Sequence, residues 1–144
     1  MVDKKILDKF KNVLRKESLK LTKQRLAVLS NVVNNSGHRE CDEIFDHLKS
    51  EGENVSRATV YRTVGILEKY SFLRKLELGD GRARYEYKLD RGHHDHMICI
   101  ECGQIIEFFN SELESLQDEI CKEKKFKLVR HIHQLFGVCE TCLD

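Results

Sequence analysis

The fold is decided by residues 57–88, RATVYRTVGILEKYSFLRKLELGDGRARYEYK. Ser56 precedes this stretch in position to cap a helix, and Val60, Val64 and Leu67, with Ile66 beside them, recur at helical spacing. The opposite face carries Arg57, Tyr61, Arg62 and Glu68. The period then changes from helix to strand. FLRKLEL and RARYEYK alternate apolar with polar residues, and Gly79-Asp80-Gly81 joins them, which is a hairpin signal.

Upstream, the spacing predicts three more helices. Residues 4–17 bring Ile6, Phe10, Val13 and Leu14 to one face. Thr22 caps a second helix with the stripe Leu26, Leu29, Val32 and Val33, ended by Asn34, Asn35 and Gly37. A third covers roughly residues 41–50, with Ile44, Phe45 and Leu48 inward and Gly52 stopping it. Helices followed by a two-stranded hairpin have the order of a winged helix-turn-helix, in which the helix before the hairpin lies in the DNA major groove. There Arg62 could donate two hydrogen bonds to a guanine edge, and Tyr61 could pack on a thymine methyl or reach a phosphate. On pattern alone, a merely solvated helix face remains the alternative for Arg57, Tyr61 and Arg62.

Downstream, the chemistry is different. Cys99-x-x-Cys102 and Cys139-x-x-Cys142 are two thiolate pairs, and two intervening residues let both sulfurs of a pair converge on one tetrahedral Zn²⁺. Disulfides or a dithiol redox motif fit less well, because the chain is expected in the reducing cytosol, holds two such pairs, and sets neither between a strand and a helix. Cys41 and Cys121 are left over and read as buried free thiols. Just before the first pair stands His93-His94-Asp95-His96. Strand alternation sends His94 and His96 to one face and His93 and Asp95 to the other, so one short segment can serve two metal sites. Glu86 and Glu107 lie on neighbouring strand-like segments, and His38 lies in a turn between helices two and three. Glu114 falls in an expected helix over 111–124, and His131 in an expected closing strand, KLVRHIHQLF at 127–136. Imidazoles with carboxylates suit Fe²⁺, Mn²⁺ or Zn²⁺. His47 and His133, each alone, read as polar surface residues.

Charge divides the chain in the same place. The 144 residues hold 25 Lys+Arg against 24 Asp+Glu, yet residues 1–88 carry a net +6 and residues 89–144 a net −5. Five of seven histidines and five of six cysteines lie beyond residue 88. A basic half suited to nucleic acid is thus joined to an acidic half suited to cations. We expect an N-terminal domain over 1–88, a hinge to about residue 92, and a second domain over 93–144. No apolar run reaches the ~20 residues of a membrane helix, and the first residues lack a signal-peptide pattern, so a cytoplasmic location is expected. An enzyme is disfavoured: a metallohydrolase would want a His-Glu-x-x-His helix, and a zinc deaminase a Pro-Cys-x-x-Cys, in a chain that has no proline. A constitutive winged-helix DNA binder with structural zinc alone is a further alternative.

Over essentially its whole length the chain resembles the ferric uptake regulator superfamily of bacterial metal-dependent repressors. The resemblance is carried by LTKQRLAVL, ATVYRTVGILE, GDGRARYEY, HHDHMICIECGQIIEF and FGVCETC, in that order. It implies an α+β protein, a winged helix followed by a small α/β dimerisation domain, acting as a homodimer on AT-rich operator DNA; pairing of dimers into tetramers stays open. It implies structural zinc on Cys99, Cys102, Cys139 and Cys142. It also implies a regulatory site on His38, Glu86, His94, His96 and Glu107, and an additional site on His93, Asp95, Glu114 and His131. Base contacts would fall to Tyr61 and Arg62, with Lys20 reaching a minor groove. Lys23 stands where many members have proline, a residue tolerated but not required in a first helical turn. Peroxide-sensing relatives typically have Asp where Glu86 and Glu107 stand, so Fe²⁺ is the expected corepressor, with Mn²⁺ or Zn²⁺ able to substitute.

Overall fold

The structure, a computed structural model, describes residues 2–35, 37–88 and 94–143. Two compact units divide the chain, Met1–Arg91 and Gly92–Asp144. The expected hinge beyond Lys88, and His93, lie outside the described residues.

The first unit is built from α1 (Lys4–Lys16), α2 (Lys23–Asn34), α3 (Cys41–Ser50), α4 (Arg57–Lys69), β1 (Leu73–Glu77) and β2 (Ala83–Tyr87). Side chains of Asp3, Thr22 and Ser56 accept the free N–H groups that open α1, α2 and α4. α1 and α4 are followed by a residue in the left-handed region, Ser18 at φ 58° and Ser71 at φ 67°. These non-glycine turns end helices in a chain without proline. Replacing Ser56 by Ala, which removes the cap on Thr59 N–H at 3.1 Å, is expected to cost about 1 kcal/mol in thermal or urea unfolding.

The apolar faces of the four helices and β1 meet in one core. Phe10, Leu14, Leu29, Ile44, Leu48, Leu67 and Phe72 are all essentially fully buried there. Each such side chain contributes about 1.5–3 kcal/mol relative to exposure. The rings of Phe10 and Phe72 meet edge to face, centroids 6.2 Å apart. β1 and β2 pair antiparallel, Leu73 opposite Tyr87 and Glu77 opposite Ala83, leaving a wider loop than three residues between them. Asp80 closes that loop by accepting from Arg82 N–H at 3.0 Å.

Helix α2 departs from the expected stripe. Val28, Leu29 and Val32 are buried, while Leu26 and Val33 are only partly covered, and the polar Asn31 is buried among them. Its amide is paired on both ends, Nδ2 with His47 Nδ1 at 3.0 Å and Oδ1 accepting from Arg39 Nη1 at 2.9 Å. His47 also meets Glu51 at 3.1 Å. His47 is therefore a brace between α2 and α3, not the isolated surface residue its sequence context implied.

The second unit comprises β3 (Asp95–Cys99), β4 (Ile105–Phe108), α5 (Ser111–Glu123), β5 (Gln134–Gly137) and a 3-10 turn at Glu140–Cys142. β3 is central, antiparallel to β4 and parallel to β5. The closing strand is shorter than expected: of residues 127–136 only 134–136 belong to it. β5 pairs from Gln134, opposite His96, to Gly137, opposite Cys99, so residues 127–133 precede the paired segment of β3. His131 accordingly stands outside any strand. Among the described hydrophobic residues of this unit only Ile98 and Cys99 are buried, and α5 buries none. Phe109, Leu116, Ile120, Phe126, Leu135 and Phe136 are exposed. No helix among the described residues is long and apolar enough to cross a membrane.

Candidate metal centres and nucleic-acid interface

Four thiols converge at the end of the second unit. Cys99 terminates β3, Cys102 lies in the turn leading to β4, and Cys139 and Cys142 bracket the 3-10 turn. Their sulfurs lie within 4.8 Å of one another, Cys102 and Cys139 at 3.7 Å. A tetrahedral ion with Zn–S bonds near 2.3 Å places its sulfurs roughly 3.8 Å apart, so this arrangement fits zinc. The turn after Cys102 needs Gly103 at φ 78°, whose N–H reaches the Cys99 carbonyl at 3.0 Å. Backbone N–H groups of Cys102 and Cys139 aimed at the Cys99 sulfur lower that thiol to about 6. Cys142, hydrogen-bonded to Cys139 and Cys102, is pushed up to about 12. One thiolate is favoured by the backbone and its crowded neighbours resist ionising beside it; a bound dication removes that conflict.

The leftover thiols differ from each other. Cys41 is buried as expected, and desolvation raises it to about 11, which leaves it unreactive. Cys121 is only half-buried on α5, contrary to expectation.

β3 separates two further donor groups by alternation. On one face His94 and His96 approach edge to face, ring centroids 4.9 Å apart. Glu107 of β4 stands opposite His96 in register and lies 3.6 Å from His94 Nε2. On the other face Asp95 is buried, with His131 Nε2 at 3.9 Å and Glu114 of α5 at 3.2 Å from the same nitrogen. His133, expected to be a surface residue, instead pairs with Gln117 at 2.7 Å and tethers the chain to α5.

In the first unit His38 meets Glu86 at 2.8 Å. The reason is a single antiparallel bridge, Arg39 with Tyr85, whose two backbone hydrogen bonds measure 3.1 and 2.8 Å. It lays the α2–α3 turn alongside β2. Glu86 is almost wholly buried, with Arg74 of β1 at 3.6 Å from its other oxygen. Two nitrogen–oxygen donors are thus held in place in this unit. Arg39 carried no signal of this role in the sequence, since a single bridge between residues 46 apart leaves no local pattern.

The polar face of α4 is ordered by its neighbour. Tyr61, 49% exposed, donates to Asp42 Oδ1 of α3 at 3.1 Å. That hydrogen bond raises the phenol above its ordinary range. Arg57 also pairs with Asp42, and its guanidinium lies 4.8 Å above the Phe45 ring. Arg62 lines a shallow groove of about 470 Å³ together with Leu19, Arg25 and Lys69. Lys20 is exposed beside it, and its carbonyl accepts from Arg25 at 2.6 Å.

The first unit is thus a helix-and-hairpin body, and the second carries clustered metal-type donors with a cysteine-rich end. The sequence model of the Ferric uptake regulator family matches residues 16–136. A ferric uptake regulation protein of Campylobacter upsaliensis is 40% identical over 139 residues, 95% of this chain and 88% of that protein. The structure of the Helicobacter pylori ferric uptake regulator, described as having three functional metal-binding sites, superposes with a TM-score of 0.88 at 36% identity. That match covers 97% of this chain and 93% of the other. A ferric uptake regulator of Francisella tularensis solved with iron gives 0.80 at 29% identity, covering 88% and 96%. The chain belongs to the ferric uptake regulator family. Members are DNA-binding, dimeric transcription regulators and not enzymes.

Proposed function

We propose that this chain is an Fe²⁺-responsive cytoplasmic repressor that binds AT-rich operator DNA as a homodimer and controls metal-uptake genes. In this reading Cys99, Cys102, Cys139 and Cys142 hold structural zinc. The regulatory cation takes His38 and Glu86 from the first unit and His94, His96 and Glu107 from the second. The additional site uses Asp95, Glu114 and His131, with His93. The observation that carries the reading is the incompleteness of each half. His38 and Glu86 are two donors held 2.8 Å apart, too few for a five- or six-coordinate ion. His94, His96 and Glu107 are three more, of the same imidazole and carboxylate chemistry, in the other unit. A bound cation supplies positive charge that offsets the carboxylates of Glu86 and Glu107, which otherwise oppose the approach of phosphates. Iron is favoured by the glutamates at 86 and 107 and by the iron-bound relative.

The exposed apolar side chains of α5, β5 and the 126–132 segment fit burial against a second copy. Operator affinity of demetallated protein, titrated with Fe²⁺, Mn²⁺ and Zn²⁺ at buffered free concentrations, tests the whole reading. Failure of Fe²⁺ to activate operator binding overturns the iron assignment, and failure of all three ions overturns the reading; Zn²⁺ acting at a lower free concentration follows from the general affinity order of divalent ions.

For DNA, Arg62→Ala is expected to cost about 1–3 kcal/mol and relax preference at one operator position. Lys20→Ala is expected to weaken binding evenly across sequences, because a phosphate or minor-groove contact carries less sequence information. Single-base operator variants at fixed salt give both answers, and unchanged selectivity in Arg62→Ala rejects α4 as the reader.

A further inference from the structure

Asp42 lies in the first turn of α3, one residue after Cys41 opens the helix, where unpaired N–H groups favour a carboxylate. Its charge therefore suits the place it holds at the start of α3. Both Tyr61 and Arg57 of α4 turn toward it, and they sit one helical turn apart on the exposed face. A single Oδ1 atom accepts from the Tyr61 hydroxyl at 3.1 Å and from the Arg57 guanidinium. Phe45, one turn further along α3, holds the other side of Arg57. Two long, half-exposed side chains are thus fixed by a neighbouring helix before any ligand arrives.

Resting on the reading that α4 enters DNA, we propose that Asp42 is a positioning residue that sets the base selectivity of this helix. Its chemistry acts in two ways. The Tyr61 hydroxyl has one proton, and Asp42 holds it, so Tyr61 cannot donate to a phosphate oxygen. What Tyr61 presents to DNA is its ring edge and an oxygen lone pair, which suit a thymine methyl or a base amino group. Its pairing with Arg57 also offsets that guanidinium's positive charge, which lowers sequence-independent attraction to phosphates. Asp42 therefore gives up raw affinity for discrimination, and it spares the complex the entropy of fixing two side chains.

The test uses full-length protein loaded with Mn²⁺, and DNA drawn from a randomised 30-base-pair pool that the wild type enriches. Affinity for the enriched duplex and for an unselected duplex is then measured across salt. In Asp42→Ala the ratio of the two affinities is expected to fall roughly tenfold, with binding to the unselected duplex unchanged or stronger. Asp42→Asn keeps the shape and a hydrogen-bonding group, and is expected to fall between Asp42→Ala and wild type. It also serves if Asp42→Ala fails to fold. Tyr61→Phe is expected to lose selectivity alone but to change nothing further in the Asp42→Ala background. A merely structural Asp42 would lower both affinities together and leave the Tyr61→Phe effect intact, and either result overturns the proposal. Should the wild type enrich no sequence, the DNA reading itself falls. Enrichment by the wild type with undiminished selectivity in both Asp42 variants rejects the role of Asp42 alone.

Discussion

Cys142→Ser protein is expected to carry no tightly bound zinc and to run at monomer mass with its second unit unfolded. The reason is the poverty of that unit's own core. The two buried apolar residues among those described in this unit, Ile98 and Cys99, do not offset the chain entropy of some fifty residues. Units of this size ordinarily need a metal, a disulfide or a partner chain. Four converging thiols supply the first of these, and the exposed face of α5 and β5 calls for the last. Binding free energies of structural zinc in small domains are about 10–16 kcal/mol, and they become folding free energy because the site exists only when the chain is folded. Cys142 is the informative position. It ties the 3-10 turn at the end of the chain back to the knuckle beside β3, so its loss frees the terminal segment. Cys99→Ser is expected to behave alike. Zinc content by elemental analysis, mass in solution and thermal unfolding read the outcome. One zinc per chain and a normal dimer in Cys142→Ser would reject the four-cysteine assignment.

The second large effect is expected at His38. His38→Ala is expected to weaken metal-activated operator binding by on the order of a hundredfold, at a cation concentration that saturates wild type, while zinc content and dimer mass stay near wild type and the chain still folds. His38 and Glu86 belong to the unit that carries α4, and the remaining proposed donors to the other. A ligand can bias two arrangements only by its difference in affinity for them. That difference resides in donors that one arrangement supplies and the other withholds. Reciprocity makes the test stringent: operator DNA must tighten cation binding by the factor by which cation tightens DNA binding. Titration of wild type and His38→Ala, each with and without duplex, measures both factors. Equal coupling in the two proteins would sink the mechanism even if both still bound DNA.

How far these features were legible in the sequence depended on whether their causes were local. Thr22 and Ser56 announced helix starts because a capping hydroxyl acts within three residues. The hairpin was legible from alternation on either side of two glycines. The four cysteines were legible because pair spacing is itself geometry. The burial of Asn31 was not, since one polar residue within an apolar stripe reads as surface until its partners arrive from Arg39 and His47. The same holds for Asp42, whose importance comes from a helix fifteen residues later. The expected closing strand over 127–136 is shorter in the structure, because the length of a strand is set by what lies beside it, and pairing with β3 begins at Gln134.

The alternation along β3 carries a last consequence. His94 and His96, then Asp95, then Cys99 are spoken for by three different donor groups within six residues. In a strand, sliding by one residue exchanges the two faces entirely. Such a slip would turn the histidines toward Glu114 and His131, offer Asp95 to Glu107, and draw Cys99 out of its knuckle. The cysteine knuckle thus works as the zero mark of a ruler: with Cys99 pinned at one end, each proposed donor falls on its own graduation, and a chain that loses the pin loses the register that keeps the two groups apart.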